Sequence, residues 1–162
     1  MLAIFSRIKP KSAIIYYKTG YNGIKPNAVQ PFPEHLRMIA GDSRNTRPKG
    51  AFRFECIGKG AENMVGSNIQ NCPAGAELWQ VVFFPQCWDG KNLDSPDHRS
   101  HMSYPQQNQN APFNRFCPST HPVALTQVSF NVFYTVQTKD APRAWRLSSD
   151  TYDTSLPGGY TS

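Results

Sequence analysis

The chain has 162 residues, a length that predicts one domain whose core hides roughly 70% of the surface exposed by the unfolded chain. Its 17 Lys and Arg outnumber 11 Asp and Glu for a net charge of +6, while charged residues make up only 17%. Aromatics at 12% are too many for a disordered tail, and no apolar run approaches the ~18 residues of a membrane span, so none is expected.

Met1–Lys9 (MLAIFSRIK) has only the short apolar stretch Leu2–Phe5 and no small-residue cleavage site, so no signal peptide is read there. Ala13–Lys18 (AIIYYK) follows Lys9-Pro10 and is rich in β-branched and aromatic residues, which predicts a strand. Glu34–Ala40 has room for a helical turn or two before Gly41-Asp42, but no sustained helical period. The densest basic stretch runs from Arg37 through Arg44, Arg47 and Lys49 to Arg53. Asp42, Pro48 and Gly50 break it, and no aromatics stand at base-stacking spacing. It reads as a solvated loop, with no nucleic-acid partner.

Further along, Phe52, Phe54 and Cys56 alternate with Arg53 and Glu55, the mark of a half-buried strand. Leu78–Phe84 is apolar on both faces apart from Gln80, as in a strand interior to the fold. Asn92–Pro118 is long, polar and rich in Pro and Asn, and a loop of that length is usually functional or tied by a disulfide. Gln127–Gln137 gives the best strand signal. Val128, Phe130, Val132, Tyr134 and Val136 line one face, Gln127, Ser129, Asn131, Thr135 and Gln137 the other, and only Phe133 breaks the alternation. The expected fold is mainly β: one domain over 1–162, with sandwich or jelly-roll-like sheets, long disulfide-tied loops and little helix.

Cys56, Cys72, Cys87 and Cys117 form no C-x-x-C pair, which disfavours a structural zinc site. Disulfides Cys56–Cys72 and Cys87–Cys117 are preferred, because both loops are short and contain turn-formers. Each bridge stabilises by roughly 3 kcal/mol in the chain-entropy picture. Disulfides imply an oxidising, extracellular setting; four buried free thiols in a cytosolic protein are the competing reading.

Residues 83–105 concentrate the chemistry. Asp89, Asp94, Asp97, His98 and His101 stand close together in a chain with only 4 histidines. Carboxylates and imidazoles at this density suit either a divalent metal or acid–base work. The spacing is not that of an EF-hand. His98 and His101 face one another on a helical turn and diverge on a strand. The competing reading is a rigid loop whose Asp side chains cap turns, with Trp88 plugging the core and Pro96 fixing the path.

The stretch FPQCWDGKNLDSPDHRSHMSYP resembles the hallmark of the domain-of-unknown-function family nineteen ninety-six, found in secreted fungal and bacterial proteins. AIIYYK, QPFPEHLRMIAGD, FRFECIG, NCPAGAELWQVVFFP, CPSTHPVALTQVSFNVFYTV, RLSSDTY and PGGYTS follow the same pattern in order. The resemblance covers nearly the whole chain. It implies an extracellular domain, often fused in fungi to carbohydrate-binding WSC modules, and brings no settled activity. Members carry an upstream HxHDFFG-type and a downstream HxDW-type segment that this sequence lacks, so the expectation is a copy truncated at both ends.

His121 lies in the turn Cys117–Pro122, which a Cys87–Cys117 bridge would draw towards the Asp/His loop. It is a supplementary metal ligand or, more simply, a turn histidine bonded to backbone. His35 reads as a surface residue, and Trp79 and Trp145 as packing aromatics, with Trp145 a sugar platform if exposed. No G-x-S-x-G elbow supports serine-hydrolase chemistry.

Two functions fit these residues. One is a polysaccharide-active hydrolase or metal-dependent enzyme. Asp94 and Asp97 would be its acid/base carboxylates, and His98 and His101 its proton shuttles. A divalent metal would sit on His98 and His101 with His121, and Trp88, Lys91, Asn92 and Arg99 would contact substrate. The other is a non-catalytic secreted carbohydrate-binding or structural module.

Overall fold

A computed structural model describes residues 8–20, 23–41, 51–58, 60–61, 64–67, 69, 71–137, 145, 151–152 and 160–161. Among them the fold is mainly β, as expected, with a single 3-10 turn at Pro26–Ala28 as its only helical element. The strands are β1 (Ser12–Lys18), β2 (Phe52–Ile57), β3 (Val65–Gly66), β4 (Glu77–Phe83), β5 (Cys87–Trp88), β6 (Met102–Ser103), β7 (Gln106–Asn108), β8 (Ala111–Phe116), β9 (Val123–Ala124), β10 (Gln127–Thr135), β11 (Thr151–Tyr152) and β12 (Tyr160–Thr161). They form a five-stranded sheet of order β1-β10-β4-β2-β3, a three-stranded sheet β6-β5-β9, and the pairs β7-β8 and β11-β12. Among the described residues no helix is long and apolar enough to cross a membrane.

The alternation read at Phe52–Cys56 is realised in β2: Phe54 and Cys56 are buried and Arg53 is exposed. In β4, Leu78 and Val81 are buried on opposite faces and the strand's other residues are half-buried. In β10 the expected faces are exchanged at the centre. Asn131 and Phe133 are buried, while Phe130 is exposed. Phe133 sets this orientation by packing edge-on against Trp79, with centroids 4.6 Å apart. Glu34–Ala40 makes no helix: a turn at Glu34–His35 leads into chain with no regular element, and His35 has φ 65°. Asn92–Pro118 is not structureless either, since β6, β7 and β8 lie within it.

The chain divides into two compact units. The first comprises Met1–Ile14, Ser43–Val81 and Asn131–Ser162. Its core joins Phe54, Cys56, Ala61, Cys72, Ala76, Leu78 and Val136, with Phe52, Met64, Ile69, Tyr134 and Trp145 packed against them. The Cys56–Cys72 disulfide lies in that core, with Cα atoms 5.6 Å apart. Trp145 contacts Tyr134 edge-on at 6.2 Å, so it packs rather than standing out as a platform.

The second unit comprises Ile15–Asp42 and Val82–Phe130. Gln86, Cys87, Met102, Ala124 and Leu125 are buried within it. Its centre is β5, paired antiparallel with β6 (Cys87 with Ser103, Trp88 with Met102) and with β9 (Cys87 with Ala124, Trp88 with Val123). The Cys87–Cys117 disulfide, Cα atoms 5.5 Å apart, ties β5 to the chain just after β8. Both cysteine pairs are those preferred from sequence. The Asp/His segment leaves β5 and returns in β6, so a rigid stem holds both its ends.

Candidate functional site

The loop from Asp89 to His101 opens directly beyond the last β5–β6 rung, and the Asp89 amide donates to the His101 carbonyl at 3.1 Å. Its first turn is organised by Asp89. Oδ1 accepts from the amides of Lys91 (2.8 Å) and Asn92 (2.9 Å), and Oδ2 from the Asn92 side-chain amide (2.7 Å). Gly90 carries φ 78°, and a Cβ there would crowd the Val123 side chain at 3.2 Å, so glycine is favoured on both counts. Trp88 Nε1 donates to the Asn92 carbonyl at 2.7 Å and locks the turn onto the stem. Trp88 and Asn92, expected as substrate contacts, are thus joined to each other. Lys91 projects from this turn as an exposed side chain.

The second turn is Ser95-Pro96-Asp97-His98, closed by the His98 amide donating to the Ser95 carbonyl at 2.8 Å. Pro96 supplies the fixed φ that such a turn needs at its second position. Asp97 caps it. Its Oδ1 accepts from the amides of Arg99 (3.0 Å) and Ser100 (2.9 Å) and from the hydroxyls of Ser95 (2.8 Å) and Ser100 (3.0 Å). Those donors, the Ser100 amide first, hold the Asp97 carboxyl far below the usual carboxylate range. A carboxylate so held does not donate protons near neutral pH. The capping reading of this residue is the one its geometry supports.

His101 is buried, at 1% exposure. Its Nε2 donates to the Arg37 carbonyl at 2.5 Å, and its Nδ1 lies 2.7 Å from Ser95 Oγ. Both ring nitrogens are therefore engaged inside the protein. Arg99 Nε donates to the Gly41 carbonyl at 2.9 Å and its NH1 to the Asp97 carbonyl at 3.1 Å, which ties the turn to the chain after Arg37. His121 stands in its own turn, its amide donating to the Pro118 carbonyl. Its Nε2 donates to the Ser100 carbonyl at 3.0 Å, and Thr120 Oγ1 lies 2.9 Å from its Nδ1. The Cys87–Cys117 bridge does bring this turn to the loop, but as a backbone brace.

His98 differs from every other group here. It adopts φ 54°, a left-handed conformation that costs a residue with a Cβ roughly 1–2 kcal/mol. Its Nδ1 donates to Asp94 Oδ1 at 2.6 Å. The side chain is 52% exposed, and no described group bonds Nε2. Asp94 Oδ1 also accepts from the Ser95 amide at 2.8 Å. The His98 hydrogen bond, then the Ser95 amide, lower the Asp94 carboxyl below its ordinary value. Asp94 Oδ2 faces the Arg37 guanidinium at 3.9 Å.

Of the residues expected to act, the structure brings Asp94 and His98 together as an outward-facing pair, and assigns Asp97 and His101 to holding the loop. No three His, Cys, Asp or Glu side chains among the described residues form a metal-holding group. The expected set of His98, His101 and His121 is not assembled, because His101 and His121 are committed to backbone partners. Arg37 belongs to the basic stretch that reads in sequence as a solvated loop, with nothing to mark it as a site residue. Its amide donates to the Leu93 carbonyl at 2.9 Å and its carbonyl accepts from His101, so the loop grips it at both ends.

A family model described as "Domain of unknown function (DUF1996)" matches residues 4–161. No match is found among curated proteins or among solved structures.

Proposed function

The chain belongs to the DUF1996 family of domains of unknown function, and we propose that it is an extracellular domain acting on polysaccharide, with His98 as its acid–base group and Asp94 as the residue that positions it. Two disulfides support the extracellular setting. One observation carries the chemistry: Asp94 accepts a hydrogen bond from His98 Nδ1 at 2.6 Å, in a histidine whose side chain is 52% exposed. A neutral imidazole fixed in that tautomer offers a lone pair on Nε2. There it can take a proton from a sugar or from water and return it later. The left-handed backbone of His98 supports the same reading, since strain of that kind is kept where a side chain must point one way.

Two-carboxylate glycoside hydrolysis needs one carboxyl raised so that it stays protonated. Asp94 and Asp97 are both lowered, so the acid–base work falls to His98. Release of reducing ends from a panel of cell-wall polysaccharides tests this, comparing wild type with His98→Ala. Turnover lost in His98→Ala at unchanged melting temperature is expected. Equal turnover by both proteins would refute the proposal.

The second reading, a non-catalytic carbohydrate-binding or structural module, is favoured by the commitment of Asp89, Asp97, Arg99, His101 and His121 to internal bonds. Retention on an immobilised polysaccharide without turnover, unaffected by His98→Ala, would select it.

A further inference from the structure

Resting on the reading of His98 as the acid–base group, we propose that the substrate is a polyuronate, that Arg37 binds its carboxylate, and that the chain is cut by β-elimination. Arg37 has an unusual combination of a fixed backbone and a free head. Its amide and carbonyl are both bonded to the loop, at 2.9 and 2.5 Å, yet its side chain is 75% exposed. Its guanidinium and the His98 ring flank the two oxygens of one carboxylate, Asp94, at 3.9 and 2.6 Å. An exposed pair at 3.9 Å holds the guanidinium only weakly. Most of its planar fork remains available for a second carboxylate, which it can bind through two parallel hydrogen bonds.

The charge around the pair favours an acidic polymer. Asp89 and Asp97 are turned onto the loop's own amides, while Lys91, His98 and Arg37 are exposed. The whole chain carries +6, which draws a polyanion to the surface.

The chemistry fits as well. Elimination needs a base beside a cation, and His98 and Arg37 stand on the two oxygens of Asp94 in that arrangement. Arg37 neutralises the uronate carboxylate and so acidifies the proton on the adjacent ring carbon, carbon-5. His98 Nε2 removes that proton. The electron pair left on carbon-5 forms a double bond to carbon-4, and the bond from carbon-4 to the glycosidic oxygen breaks. The imidazolium then returns its proton to the departing oxygen. One carbon–oxygen bond is lost and one carbon–carbon π bond gained, with no water, metal or redox partner consumed.

The test uses the whole chain with polygalacturonate, alginate and glucuronan, beside neutral xylan. It reads the unsaturated uronate by ultraviolet absorbance and total cuts by reducing ends. Unsaturated ends from at least one polyuronate are expected. In Arg37→Ala, kcat/KM should fall about 100-fold at wild-type melting temperature, with Arg37→Lys between the two, and His98→Ala should be inactive. Reducing ends without unsaturation, or xylan cleavage indifferent to Arg37→Ala, would overturn the elimination and leave His98 as the base. Absence of any product dependent on His98 from every polysaccharide would overturn both.

Discussion

His101 Nε2 donates to the main-chain carbonyl of Arg37 across 2.5 Å, joining residues 64 apart in sequence. This bond connects the two halves of the site, because it fixes the backbone from which the Arg37 guanidinium reaches towards Asp94. With Ser95 Oγ on its other nitrogen, the buried imidazole acts as a brace between the loop and the Arg37 segment. Removing it leaves the Arg37 carbonyl, in a part-buried position, without its donor. His101→Ala should therefore cost about 1–3 kcal/mol in urea denaturation. A loss below about 0.5 kcal/mol, the range of ordinary surface changes, would show that the brace carries no weight.

The Cys87–Cys117 disulfide encloses the whole Asp/His segment, with a sequence separation of 30. In the chain-entropy picture a loop of that length contributes about 3–4 kcal/mol. The double substitution Cys87→Ser with Cys117→Ser should lower stability by that amount and loosen the His121 turn. Hydrogen exchange at the Arg99 and Ser100 amides should then accelerate. Unchanged protection there would mean that the loop stands without the bridge.

Asp97 sets the acid limit. Its folded-state carboxyl is lowered by the Ser100 and Arg99 amides, so its contribution is complete above the unfolded value of about 3.9. That contribution is lost as pH falls through the lower folded value. Melting temperature should decline below about pH 4 more steeply in wild type than in Asp97→Asn, which starts lower and changes less. Parallel curves would remove Asp97 as the cap that fails.

His98 pays for its orientation with a left-handed backbone, φ 54°. Glycine adopts that conformation freely, and the strain relieved is about 1 kcal/mol. His98→Gly should melt no lower than wild type while losing turnover. A clear drop in melting temperature would instead make His98 a structural residue.

The sequence made the strands legible where pattern and burial coincide. Phe52–Cys56 alternates because one face of β2 meets the core, and the paired cysteines were recoverable from short, turn-rich spacings. The faces of β10 were not recoverable. There the Trp79–Phe133 contact decides which side is buried, and a strand's own alternation carries no trace of a partner in another strand. The loop's density of Asp and His was visible, but roles within it were not. Composition does not distinguish Asp97, whose Oδ1 meets four donors, from Asp94, whose Oδ1 meets a histidine. Arg37 was invisible as a site residue because only the fold brings it to Leu93 and His101.

The acid–base role of His98 depends on which of its nitrogens carries the proton. Long-range nitrogen-15 NMR of the histidine-labelled chain, recorded above the histidine titration range, reads this directly. The Asp94 contact at 2.6 Å requires the Nδ1-protonated tautomer, with Nε2 free as the base. That tautomer should dominate in wild type and give way to the Nε2-protonated form in Asp94→Ala. A wild-type His98 protonated on Nε2 would contradict the pair as an acid–base device.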